Sequence, residues 1–472
     1  MCRRSLLLVA YHFPPRGGSG VQRALKLATY LPRHGWDVHV LTAGHSHHAV
    51  NDESLIDDSA VPFCVHRILG WEPGGVAARI GRLISTAGAR SSRVNLLEDR
   101  IYWRLESWGA RLPLIEIESM WKAAAIRAGS RLIESQGIEC VVTTSPPHSM
   151  HQIGATLSRR HNVPWIADLR DPIVDNFAIE SESAKAARWR RRIESDVCMN
   201  ADRVVVTCPD LGDRLVDRHG PSLRARLETV FNGFDAADAP DDSSPCDVPT
   251  RQDRFVLSYV GAFYRAQTIE PLLAAVRSFL LRRCDANGRF ELRVVGTIAA
   301  RLRSLIRDSD RTFVRELGYV PHKSAIRELL RADALFLMTP TNAGGRLCVP
   351  AKLFEYLAFG RHVIGLVHAC TSVERILAES SETTIVRHGD ADGLSRAIEA
   401  RFDAWITGAE RFVQAGCGAT EIAKYRRDFL AGQFAGILTQ AIRARSRDCG
   451  SSDPGAATEQ YRTVLHAAGG VQ

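Results

Sequence analysis

A chain of 472 residues, 45% of them hydrophobic, is long enough for two buried cores, because a single core stops growing at roughly 250 to 300 residues. Its 61 Lys and Arg against 53 Asp and Glu give a formal net charge of +8, which suits anionic small molecules or acidic membrane surfaces. Nucleic acid is set aside, since there is no zinc-finger Cys/His spacing, no basic region followed by heptads and no aromatic RNA-binding signature. The 11 cysteines stand singly without a CxxC pair, as reduced thiols do in a reducing compartment. The apolar stretch 5–10 is too short for a signal peptide, and no apolar run approaches the roughly 20 residues of a bilayer span. A cytoplasmic protein, soluble or peripheral on the inner membrane face, is the expectation.

The opening reads as a strand over 6–11, a Pro/Gly turn, and a helix whose apolar face is Val21, Ala24, Leu25, Ala28 and Leu31. A second strand follows at 37–42, making one βαβ unit of a parallel sheet. Residues 45–135 are less regular, with Trp71, Trp103, Trp108 and Trp121 on loops and helices. Alternation then resumes with strand 140–144, helix 150–161, strand 165–169, basic helix 184–200, strand 203–208 and a short strand at 229–231. The polar stretch 236–253 has almost no apolar content and reads as a linker.

Beyond it the pattern repeats: strand 256–260, helix 269–281, strand 292–295, helix 299–306, strand 314–319, helix 324–331 and strand 334–338. Helix 351–359, strand 363–367, helix 373–377 and strand 384–386 complete it, before a helical stretch over 421–445 and a Gly/Ser/Ala-rich tail, 446–472, expected to be disordered. The expected fold class is α/β, with two Rossmann-like, doubly wound parallel-sheet domains over 1–235 and 254–420. Ligands of such sheets bind outside the carboxyl ends of the strands, so the site belongs in the cleft where the two domains face each other.

The loop Phe13-Pro14-Pro15-Arg16-Gly17-Gly18-Ser19-Gly20 follows the first strand. Glycines such as Gly18 and Gly20 let a ligand approach the backbone, and the helix behind them offers unpaired N–H groups to a phosphate. A tight turn with Ser19 as helix cap is the plainer alternative. A dinucleotide fingerprint fails twice, because Arg23 stands where the third glycine belongs and no acid ends the second strand.

The segment 339–360 runs from a strand end through Gly344-Gly345 into a helix with Pro350 near its first turn and Gly360 at its end. Phosphate oxygens can sit over the loop amides, and Lys352 adds a point charge. Glu355 falls on the same helix side and can accept both hydroxyls of a ribose. A solvated Lys352–Glu355 pair is the alternative for an arbitrary helix.

Taken together, 11–26, 144–151, 167–172, Val230-Phe231-Asn232-Gly233-Phe234-Asp235 and 349–360 resemble, in the same order, the bacterial group 1, family 4 glycosyltransferases of the GT-B fold. The resemblance covers most of residues 5–435. It implies a retaining enzyme that uses a nucleoside diphosphate sugar as substrate, with no cofactor and no metal. It also implies that Glu355 grips the donor ribose, that Gly344, Gly345 and Lys352 touch the diphosphate or sugar, and that helix 421–445 packs back on the N-terminal domain. Hexosyl transfer to a hydroxyl of a glycan or lipid-linked precursor is expected, as in polysaccharide or lipopolysaccharide biosynthesis.

Two departures from the family pattern stand out. The first of two glutamates spaced eight apart falls on Leu347, and the arginine after Gly261 is replaced by Ala262. Arg265 is the candidate substitute, or a surface arginine. In the N-terminal half, 145–151 and Asp168-Leu169-Arg170-Asp171-Pro172 end strands that point at the cleft. Arg170 is the candidate leaving-group stabiliser, and Asp171 or His151 the group that orients the acceptor hydroxyl or takes its proton. A structural ion cluster of Asp168, Arg170 and Asp171 is the alternative. The helix around Lys185 to Arg192 is a candidate contact for anionic lipid, or an ordinary solvated face. Two rival functions remain open: a sugar-nucleotide epimerase, and a nucleotide-sugar-binding partner protein without catalysis.

Overall fold

The computed structural model describes residues 3–44, 51–56, 61–73, 75–76, 116–179, 182–239, 253–263, 266–358, 362–408 and 420–450. In chain order, β1 (Arg4–Val9), α1 (Ser19–Tyr30), β2 (Trp36–Ala43), β3 (Cys64–Ile68), α2 (Lys122–Gln136) and β4 (Ile138–Ser145) come first. Then follow α3 (Met150–His161), β5 (Trp165–Leu169), α4 (Ala184–Asn200), β6 (Arg203–Val206), α5 (Pro209–His219) and β7 (Leu227–Thr229). The strands form one sheet in the order β3-β2-β1-β4-β5-β6-β7, and every neighbouring pair is parallel.

The second unit holds β8 (Phe255–Val260), α6 (Glu270–Arg282), β9 (Phe290–Val295), α7 (Ala300–Arg303), β10 (Val314–Gly318), α8 (His322–Leu330) and β11 (Ala334–Met338). It continues with α9 (Lys352–Ala358), β12 (His362–Val367), α10 (Ser372–Ala378), β13 (Thr383–Arg387) and α11 (Ala391–Thr407). Its parallel sheet runs β10-β9-β8-β11-β12-β13. After it come α12 (Thr420–Ala423) and α13 (Arg427–Gly450). Two doubly wound α/β units are therefore present, as the alternation implied.

The run Leu6-Leu7-Leu8-Val9 has its cause in this layering. Leu6 and Leu8 enter the apolar cluster shared with α1 and α13, while Leu7 and Val9 enter the cluster on the other face of the sheet. A parallel strand covered on both faces loses the polar alternation of a half-exposed one. The helix α13 contributes Leu430, Phe434 and Leu438 to the first of those clusters, so the end of the chain completes the core of its beginning.

The continuous helix expected over 421–445 is broken between Ala423 and Arg427. There the chain runs beside 233–234: the Phe234 N–H donates to the Tyr425 carbonyl at 3.2 Å, and the Arg427 N–H donates to the Phe234 carbonyl at 2.9 Å. Those backbone bonds replace helical ones. The two crossings between the units thus lie side by side. At the far end α13 continues to Gly450, into the stretch expected to be disordered, and the remainder of that tail lies outside the described residues. On α4, Ile193, Val197 and Cys198 face inward while Lys185, Arg188, Arg191 and Arg192 are exposed. Among the described residues no helix is long and apolar enough to cross a membrane.

Candidate functional site

Between the carboxyl edges of the two sheets lies a cavity of about 330 Å³. The first unit lines it with Arg16, Gly17, Gly18 and Gln22, and with Asp52 beyond β2. Gly18 (φ +91°) holds the capping position of α1 and has no side chain of its own to cap the first turn. Ser19, the alternative cap, is instead the first helical residue. Glycine is needed at 18 for conformation, since a Cβ there would meet no atom within 4 Å.

The second unit supplies Gly261 and Gly296 at the ends of β8 and β9, Tyr319 after β10, His322 from α8, and Lys352 and Glu355 from α9. Gly261 and Gly296 have φ of +140° and +138°. A Cβ on Gly261 would stand 2.6 Å from Lys352 Nζ, and one on Gly296 would overlap the Gly261 carbonyl oxygen. These two glycines form a thin floor on which the lysine lies. The Lys352 ammonium is 3.8 Å from the centroid of the Tyr259 ring, a cation–π contact. It has no hydrogen-bonded or ion-paired partner among the described residues. Burial pushes its pKa down to about 7, against the pull of the Glu355 charge.

Glu355 is half-buried and its Oε1 lies 3.1 Å from His322 Nε2. Burial works against the charge on His322, but the Glu355 hydrogen bond, the Glu355 charge and the Asp238 charge outweigh it and raise the imidazole pKa. The His322 backbone N–H donates to Asp52 Oδ2 at 2.9 Å, tying α8 to the first unit across the cleft. Arg427, at the start of α13, closes the cavity between the two units.

Of the residues expected from sequence, Gly18, Lys352 and Glu355 line this cavity together, and others are placed elsewhere. Arg265 lies outside the described residues. Gly20 is one turn behind, its carbonyl accepting from Arg170. Gly344 packs on the backbone of Asp175 and Phe177, while Asn342 Nδ2 donates to the Phe177 carbonyl at 2.9 Å. The loop with Gly344 and Gly345 is thus a contact between the units rather than a wall of the cavity. Gly345 is demanded locally, because a Cβ would overlap the Pro340 carbonyl. Leu347, where the family pattern has a glutamate, is buried and its carbonyl accepts from Cys208 Sγ at 3.5 Å.

In the first unit Arg170 is held by backbone: its guanidinium donates to the Ser145 carbonyl at 2.6 Å, to Pro146 at 3.3 Å, and to Gly20. Asp168 pairs with Arg23 at 2.7 Å rather than with Arg170, and accepts from Thr144 Oγ1 at 2.8 Å. Asp168 and Arg23 are buried, Arg170 is half-buried, and the three brace the strand ends of the first unit. Asp171 is half-buried; burial raises its carboxyl pKa, while the Arg170 and His148 charges pull it back. Across the cleft, the buried Cys348 thiol feels the Asp171 charge.

His151 is placed away from the cleft. Its Nδ1 is 2.9 Å from Thr143 Oγ1, and the ring lines a separate cavity of about 460 Å³ between α3 and α4. Burial, together with the nearby His148 charge, holds its pKa down to about 3, so the imidazole is neutral. The histidine beside Asp171 is instead His148, buried, with its backbone N–H on Glu116 Oε1 at 2.9 Å. His148, His322, Asp52 and Arg427 were not singled out from sequence; His148 lies in the 145–151 segment beside the histidine chosen there, and the other three sit in no local pattern that would have revealed them.

Residues 17–233 match the family model described as a glycosyl transferase 4-like domain. No curated protein matches the sequence. Among solved structures, sucrose-phosphate synthase from Thermosynechococcus elongatus is similar with a TM-score of 0.65 at 18% identity, over 94% of this chain and 100% of that one. Anabaena HepE in complex with UDP-glucose has a TM-score of 0.59 at 12% identity, over 92% and 99%. The apo structure of OtsA has 0.57 at 12%, over 92% and 99%. Residues 17–233 are therefore similar to a glycosyl transferase 4-like domain, in a chain that shares the two-domain α/β fold of these solved structures.

Proposed function

We propose that this chain is a retaining hexosyltransferase that moves a sugar from a nucleoside diphosphate sugar to a hydroxyl of a glycan or glycolipid precursor. The observation that carries the reading is Lys352, a half-buried ammonium that has no anionic partner among the described residues and lies on the glycine floor of the cleft. An uncompensated charge removed from water costs several kcal/mol, roughly, unless a ligand supplies the opposite sign. A diphosphate does so, and the first turn of α1, which has no capping side chain at Gly18, faces the same space. Glu355 keeps an oxygen beyond its His322 contact for the two hydroxyls of a ribose. HepE, of the same fold, has been solved with UDP and with UDP-glucose, which supports a nucleotide-sugar donor.

In the reaction the bond from the anomeric carbon to the diphosphate oxygen breaks, and Lys352 stabilises the charge that grows on the departing group. The acceptor hydroxyl attacks from the same face and gives its proton to Asp171, whose raised pKa suits a general base. Arg170 fixes the strand ends on which Asp171 stands. Turnover of a nucleotide-sugar panel with membrane-extracted acceptors tests this. Asp171→Asn is expected to lower kcat about 100-fold or more while donor Kd stays unchanged. Unchanged kcat removes Asp171 from the mechanism.

A further inference from the structure

Arg427 sits where the chain crosses back from the second unit to the first. Its backbone is bonded to Phe234, and Arg426 before it bridges the same residue, so the hinge fixes where its side chain starts. The residue is 8% exposed and lines the cavity that holds Lys352 and Glu355. Among the described residues, no carboxylate comes within ion-pair distance of its guanidinium. Glu355, Asp238 and Asp235 act on it only through space. Each of them already has a partner: Glu355 has His322 at 3.1 Å, Asp238 has Lys26 at 2.7 Å and Asp235 has Lys26 at 2.6 Å. The adjacent Arg426, by contrast, is neutralised by Asp428 at 2.7 Å.

A guanidinium so placed has five N–H donors and a full charge without a protein acceptor. Burial and the charge of Arg23 bring its pKa down to about 10, still far above neutrality, so the cation persists. The complement of that geometry is an oxyanion with several acceptor oxygens, which a fork of N–H groups binds in bidentate fashion.

We propose that Arg427 grips the donor diphosphate from the hinge, so that the donor cavity is complete only when α13 is docked on the first unit. This rests on the donor reading given above. The diphosphate would then lie between Lys352 of the second unit and an arginine anchored to Phe234 of the first. Donor binding and the docking of the chain end become one event.

Calorimetric titration of UDP, GDP, ADP and dTDP, each beside its own nucleoside, into wild type, Arg427→Ala and Arg427→Lys tests the assignment. The alanine variant is expected to bind the diphosphate that wild type accepts about tenfold more weakly or worse, to bind the nucleoside unchanged, and to melt without ligand at or above the wild-type temperature. The lysine variant should fall between. Equal diphosphate affinity in the alanine variant, or parallel loss of diphosphate and nucleoside with a lowered melting temperature, overturns the assignment and leaves Arg427 a hinge residue. Folded wild type that binds none of the four diphosphates overturns the donor reading itself, and the role of Arg427 with it.

Discussion

Lys352 gives the cleft a pH dependence of its own, separate from that of His322. Lys352 has its pKa lowered from 10.5 to about 7 by burial, and an anion laid against it restores the proton. Below about pH 7 the lysine is already charged and diphosphate affinity should be flat. Above that point binding must take up a proton, so affinity should fall by about tenfold per pH unit until the pKa of the bound form is reached. Calorimetry across that range checks the slope, and Lys352→Arg should abolish it, because a guanidinium does not titrate there. For the protein without ligand the sign is opposite: between about 7 and 10.5 the unfolded chain holds the proton more tightly, and stability rises with pH through that window.

That Lys352 and Glu355 face the same cavity was legible in the sequence, because three residues on one helix place both side chains on one side. Their cross-cleft neighbours were not. Asp52 and His322 meet across 270 positions of chain, and nothing local distinguishes the inward Arg427 from the outward Arg426. The Gly344-Gly345 pair carried a phosphate-loop signature, yet its lack of Cβ atoms serves the approach of Phe177 and Pro340. Close backbone packing and ligand approach demand the same residue.

At the scale of elements, the inner strands were readable because they are buried on two faces and their runs are rich in apolar residues. The edge strand β3, Cys-Val-His-Arg-Ile, has only partly buried or exposed residues and no such run, so it was lost in the irregular stretch. The break before α13 was hidden for another reason: the residues there can all be helical, and a backbone partner at 233–234 overrides that preference. Because α13 completes the core over β1 and β2, its apolar face should matter as much as any strand. Phe434 is fully buried, and Phe434→Ala is expected to cost about 3–5 kcal/mol, read as a lowered urea midpoint. A surface-like effect below about 0.5 kcal/mol would show that α13 is not part of that core.

At the scale of the whole molecule, the two sheets are held edge to edge by contacts that sit outside the cavity. Asp210 accepts from the Ser372 N–H at 2.6 Å and pairs with Arg375 at 2.7 Å, and Asn232 Nδ2 reaches the Val349 carbonyl at 3.3 Å. The crossings at Phe234 and Arg426 lie side by side, joined by a parallel backbone bridge. The donor position proposed at Gly18, Lys352 and Glu355 has its most direct test at the carboxylate assigned to the ribose. Titration of UDP-, GDP-, ADP- and dTDP-sugars into wild type and Glu355→Ala measures it directly. One of these sugars should bind the wild type and bind the variant about 10- to 100-fold more weakly, the loss of a hydrogen-bonded carboxylate at the ribose; equal affinity in both proteins would contradict the placement of the nucleotide in this cavity.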